Sequence, residues 1–267
     1  MKRAAMQAEP PSESGPARYS LPARPYPSED VLFCVDVDAE SRAQMRLSGQ
    51  NARSMTRLDS IKQGILFFVN AKLAINSDHR FSFSSLGTSL TWVRRKFNNQ
   101  VQSAVEQVQS LAEADSSCDK ADLTLLFKMA THEANKSKQQ GRILRVILIY
   151  CRSSTLPTHE WPESTKNFTL DVIYLHDKPN AENCPQRVFD SLVDASEHVS
   201  EHESYILESG QGINRGLVHH LCTLLCHPEQ RCLQEELDIP KPIVGKLRVK
   251  AEGTAALSDD SSLDACW

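Results

Sequence analysis

Three groups of side chains in this sequence have the types and spacing for chemistry. Asp36, Asp38 and Glu40 stand at i, i+2 and i+4 within Val-Asp-Val-Asp-Ala-Glu. Alternate carboxylates in a loop could converge on one hard cation, because magnesium and calcium take oxygen ligands. His198, Glu201 and His202 spell H-x-x-E-H, which on one long helix offers two zinc ligands and a general base. His219, His220, Cys222, Cys226 and His227 crowd a late apolar stretch, and Cys222 and Cys226 at i, i+4 could ligate zinc on one helix face. Cys34 and Cys151 are candidate thiol nucleophiles. Arg94, Arg95 and Lys96 follow Trp92 and could meet an anionic partner, while Trp161 sits in a polar, proline-bearing loop that would suit a protein interface.

Composition narrows these choices. The chain has 267 residues, 40% of them hydrophobic and 24% charged, with a formal charge of −4. A sizeable core is therefore affordable, and wholesale disorder or a fibrous repeat does not fit. The acidic balance argues against nucleic acid as a direct partner, which wants a basic face. Glycine is scarce at 10, and no phosphate-cradling loop, G-x-G-x-x-G or G-x-S-x-G sequence is present. No apolar leader and no run near the ~20 residues of a membrane span is seen. The eight cysteines are therefore expected as free thiols in a reducing compartment, and no cofactor is called for.

The elements that must position these residues are read from hydrophobic period. Residues 31–36, 143–150 and 168–175 are apolar runs of buried parallel strands. Residues 80–86 alternate at period two, with 89–93 as a hairpin partner, and 205–207 form a short strand. Helical spacing marks 58–73, 101–111, 123–130, 188–193 and a final helix from 214 to 226, stopped by Pro228. Strands alternating with helices predict a doubly wound α/β fold: a mostly parallel sheet, one antiparallel edge strand, and helices on both faces. Six of 13 prolines precede residue 28, so residues 1–28 read as a disordered proline-rich arm. The domain spans 29–231, and 232–267 reads as a mostly disordered acidic tail. Within it Leu237, Ile239, Pro240, Pro242 and Ile243 form an apolar, proline-punctuated stretch expected to dock a partner.

In doubly wound sheets, sites lie at the carboxyl ends of strands, which is where Asp36, Asp38 and Glu40 fall. Element order and the antiparallel edge resemble von Willebrand factor A domains. There the first strand ends in Asp-x-Ser-x-Ser and binds magnesium, with a Thr from a second loop and an Asp from a third. Here Asp38 and Glu40 replace both serines. The second loop, 116–121, has no Thr, and the third reads Cys151-Arg152-Ser153. A cation at Asp36 would face Arg152, so the trio is expected to be a degenerate site, with solvated acids at a strand end. The competing reading is a metal-dependent, ligand-binding A-type domain using Asp36, Asp38 and Glu40. A third reading, zinc hydrolysis at His198, Glu201 and His202, suffers from placement at a helix end with no acidic third ligand following.

Longer segments carry a second resemblance. VLFCVDVDAE, ILRVILIYCRSS, FTLDVIYLHD and LVHHLCTLLCHPEQRC are similar to the MERIT-type subunits of the BRISC and BRCA-A deubiquitinase complexes, over about residues 31–232. The most specific stretch is 224–231, where the family carries Leu-Leu-x-His-Pro-x-Gln-Arg. The resemblance implies a von Willebrand factor A-like scaffold that is not an enzyme and whose metal site is degenerate. It implies direct contact with a subunit built of ubiquitin-conjugating-variant folds, and through the assembly with a zinc metalloprotease subunit. It also implies action in ubiquitin signalling and the DNA-damage response, in both nucleus and cytoplasm, with no membrane partner.

Overall fold

The computed structural model describes residues 26–45, 55–114, 117–161, 166–210 and 214–237. The central strand, β1 (Glu29–Asp36), is buried along its whole length. Its side chains alternate between two cores, with Val31, Phe33 and Val35 on one face and Leu32 and Cys34 on the other. That two-sided burial is why the strand reads as a continuous apolar run. The other strands of the sheet are β2 (Arg80–Leu86), β3 (Leu90–Asn98), β4 (Ile143–Tyr150), β5 (Thr169–His176) and β6 (Ile206–Gly210). Their order is β6-β5-β4-β1-β2-β3. Every neighbouring pair is parallel except β2 with β3, which turn back on each other at residues 87–89. The doubly wound arrangement with one antiparallel edge strand is thus observed, and its direction of winding switches between β1 and β4.

Among the described residues five helices cover the sheet: α1 (Arg57–Ile75), α2 (Val101–Gln109), α3 (Thr124–Gln139), α4 (Pro185–Val199) and α5 (Asn214–Thr223). One face is closed by α1, α2 and α5 through Leu58, Ile61, Ile65, Phe68, Val108, Leu217 and Leu221. The other is closed by α3 and α4 through Leu126, Phe127, Val188 and Leu192. Thr56 caps α1 by accepting from the Asp59 N–H at 3.0 Å. A Cβ on Gly64 would lie 2.5 Å from Leu221 Cδ1, so that glycine sets how closely α1 and α5 approach.

Four boundaries differ from expectation, each for a local reason. β3 continues to Asn98, beyond the expected 93, so Arg94 and Lys96 belong to an edge strand; charged side chains are usual there because an open edge must be protected from pairing. α5 stops at Thr223, with Leu224 and Leu225 held in a closing turn by the His220 and Cys222 carbonyls. Cys226 therefore lies past the helix that carries Cys222. Residues on both sides of the expected 29–231 domain also touch it. Ser28 O accepts from the Ile143 N–H, and the Tyr26 ring lies 5.3 Å from that of His227. Beyond Arg231, Tyr205 Oη donates to the Cys232 carbonyl at 2.9 Å, and Leu237 packs against the α1/α5 core. No helix among the described residues is long and apolar enough to cross a membrane.

Candidate functional site

The switch between β1 and β4 is the crevice where this class of sheet binds ligands, and Asp36 stands in it. Asp36 is fully buried, as is Arg152, two residues past the end of β4. Arg152 Nε and Nη2 donate to Asp36 Oδ1 at 3.1 and 3.0 Å, and Cys151 N and Asp38 N donate to the same carboxylate. The guanidinium does more than neutralise. Its Nη1 donates to the Cys118 and Lys120 carbonyls at 3.1 and 2.7 Å, and its Nη2 to the Gly87 carbonyl at 2.5 Å. One planar fork thus ties the end of β1 to the β2–β3 turn and to the loop before α3, a geometry an ammonium could not supply. Burial pushes the Asp36 carboxyl up, against the pull of Arg152 and the two backbone donors.

The other two acids are also engaged internally. Asp38 Oδ2 accepts from Cys118 N at 2.6 Å, and its Oδ1 from Glu40 N at 3.2 Å. Glu40 accepts from Ser153 N at 3.0 Å and Ser153 Oγ at 2.7 Å. Arg57 joins the group, donating to the Cys151 carbonyl at 3.3 Å and pairing with Asp177. So Asp36, Asp38 and Glu40 do share one end of the sheet, and the second and third loops do reach them. They are not solvated, however: Asp36 and Asp38 are buried and hydrogen-bonded. A divalent cation on Asp36 would have to displace the guanidinium 3.0 Å away. These residues do not fit the magnesium that the resembled fold carries.

The zinc candidates are dispersed. His198 is in the last turn of α4 and donates from Nε2 to the Trp161 carbonyl at 2.7 Å; Glu201 lies beyond the helix, 4.0 Å from Lys138. His202 follows it, so H-x-x-E-H does not share a helix face. His220 Nε2 donates to the Glu208 carbonyl at 3.0 Å, while His227 Nε2 donates to the Pro27 carbonyl at 3.0 Å. No group of three or more His, Cys, Asp or Glu able to hold a metal occurs among the described residues. Burial pushes the Cys34 thiol up to about 12 and raises Cys151 further, which keeps both protonated and poorly nucleophilic at neutral pH. Trp161 is partly buried against the α3/α4 core. Of the expected docking stretch, Leu237 packs on the core, and Ile239, Pro240, Pro242 and Ile243 lie outside the described residues.

Sequence reasoning missed a second cluster, at the amino end of the strands. Glu29 pairs with Lys72, and with Arg145 at 3.2 Å; Arg145 pairs with Asp171 at 2.5 Å, and Asp171 with Arg231 at 2.6 Å. All five side chains are almost wholly removed from solvent. Burial alone would raise Asp171, but Arg145 and Arg231 outweigh it and hold the carboxyl at about 2. His79 accepts the Glu29 N–H on Nδ1 at 2.9 Å; burial and Lys72 lower it to about 4. Glu29, Arg145 and Asp171 each interrupt or begin an apolar strand run, and that interruption was the available signal. A charge inside a two-sided strand needs a partner, and Arg231 arrives from the conspicuous 224–231 segment.

No protein-family model and no curated protein sequence matches the chain. Similar arrangements occur among solved structures. The SpRpn10 VWA domain is 10% identical with a TM-score of 0.46, covering 73% of this chain and 95% of that one. The N-terminal domain of TFIIH p34 is 13% identical with a TM-score of 0.48, covering 72% and 95%. The PilB minor pilin from Streptococcus sanguinis is 9% identical with a TM-score of 0.48; the match covers 76% of this chain and spans 62% of the pilin.

Proposed function

We propose that this chain is a non-catalytic scaffold subunit that stabilises a multi-subunit deubiquitinase assembly in ubiquitin signalling and the DNA-damage response. The observation that carries the non-catalytic part is the Arg152 fork, which fills the crevice where a ligand or metal would sit and turns it into a structural joint. The choice of assembly rests on the similarity to MERIT-type subunits. That similarity is strongest at 224–231, whose His227 and Arg231 fasten the chain across the amino end of the sheet. The direct partner is a subunit of ubiquitin-conjugating-variant folds, docked by Ile239, Pro240, Pro242 and Ile243, the part of the expected stretch that follows the core-packed Leu237. The zinc metalloprotease subunit is reached through it, in nucleus and cytoplasm. The competing metal-dependent reading at Asp36, Asp38 and Glu40 requires a cation in the place of the Arg152 guanidinium.

Affinity purification of the tagged chain from cells tests the proposal. Both partner subunits are expected in the eluate, and an Ile239→Asp/Ile243→Asp variant should recover at least about tenfold less, as for loss of a small apolar anchor set. An eluate from the unaltered chain lacking any deubiquitinase subunit overturns it.

A further inference from the structure

At the β6 edge, on the face covered by α4, Phe189, Val193, Ile206 and Leu233 line a groove of about 470 Å³. Leu233 stands 56% exposed beside it, and Phe189 and Val193 are only partly covered. The charged residues of its lining are Glu197, Glu203 and Glu235, and no Lys, Arg or His among the described residues lines it. Glu203 is engaged with the Gln234 N–H at 3.1 Å, whereas Glu197 and Glu235 are exposed. An added strand is not what this edge would take. The Gln234 amide bonds both the N–H and the carbonyl of Ile206, at 2.6 and 2.8 Å, and His220 occupies the Glu208 carbonyl. An occupant must sit in the groove by its side chains, apolar on one side and cationic on the other.

The chain itself carries such a segment a few residues on. Lys246, Arg248 and Lys250 alternate with Leu247 and Val249, the period-two pattern of an extended segment with one cationic and one apolar edge. We propose that residues 246–250 of this chain dock in the groove. Leu247 and Val249 lie on Phe189, Val193 and Leu233, and the cations pair with Glu197 and Glu235. The path is long enough: nine residues beyond Leu237 span up to ~30 Å. Leu233 faces the α4 side while Leu237 packs on the α1/α5 core, so the chain rounds the sheet edge and must turn back. Pro240, Pro242 and Gly245 are turn-forming residues on that return. Docking also makes 238–245 a loop held at both ends that displays Ile239 and Ile243; only this consequence rests on the proposed scaffold role.

Trypsin digestion of the full-length chain at low salt, read by mass spectrometry, tests the docking. Cleavage after Lys246, Arg248 and Lys250 should be at least about tenfold slower than in a synthetic peptide of residues 238–255, a protection factor equivalent to ~1.4 kcal/mol. A Glu197→Lys/Glu235→Lys variant should lose that protection. Adding Lys246→Glu and Arg248→Glu to it should restore protection at Lys250. Cleavage of the unaltered chain as fast as the peptide, or protection indifferent to both reversals, overturns the proposal. Protection that grows with protein concentration assigns the groove to the tail of a second copy, and overturns it equally.

Discussion

Arg152 is the residue on which the carboxyl end of the sheet depends. Removing one member of a buried ion pair strands the other charge, at a cost of about 3–5 kcal/mol. Arg152→Met should therefore lower unfolding free energy by that amount in a denaturant titration, and adding Asp36→Leu should recover part of it. Recovery stays partial because the Gly87, Cys118 and Lys120 carbonyls still lose their donor. A loss under about 1 kcal/mol would show that the fork is not structural. His79 makes a second residue-scale prediction. Its folded pKa of about 4 lies below the ordinary 6.5, so the unfolded chain takes the proton first. Stability is full above pH 6.5 and falls as pH drops toward 4. His159, His220 and His227 are also lowered by burial and add to that slope. His79→Gln keeps an acceptor for the Glu29 N–H and should flatten the fall between pH 6.5 and 4.5 without abolishing it, measured by Tm across pH. A steeper or unchanged slope would contradict the assignment.

At the scale of elements, the α1–α5 contact turns on Gly64. Alanine normally stabilises a helix interior by about 1 kcal/mol over glycine. Here the new methyl would meet Leu221 Cδ1 at 2.5 Å inside a fully buried core, and overpacking of that kind costs about 1–3 kcal/mol. Gly64→Ala should lower Tm, and Gly64→Ala with Leu221→Val should recover part of the loss. Which elements the chain forms was legible because period survives in every one of them. β1 and β4 read as apolar runs despite Glu29 and Arg145, α2 shows a single apolar face, and the order of strands and helices followed. What was hidden was set by contacts distant in sequence. Arg94 and Lys96 fell outside the expected strand 89–93 because charge on an edge strand breaks its apolar period. The end of α5 was obscured because Leu224 and Leu225 continue its apolar pattern after the backbone has left the helix.

At the scale of the molecule, the two ends of the sheet are both locked by buried arginines, Arg152 at one and Arg145 with Arg231 at the other. The first lock was half legible: the sequence placed Arg152 opposite Asp36 but read Asp38 and Glu40 as solvated. The second was not, since Asp171 and Arg231 are 60 positions apart and meet only in the fold. With both ends engaged internally, the proposed scaffold role is the reading that places function at the surface and the edge groove. Arg152, not a metal ion, holds the β1–β4 crevice. The test is isothermal titration of magnesium into the protein. No saturable heat is expected at millimolar magnesium; stoichiometric binding that disappears in Asp36→Ala would contradict the structural role of Arg152.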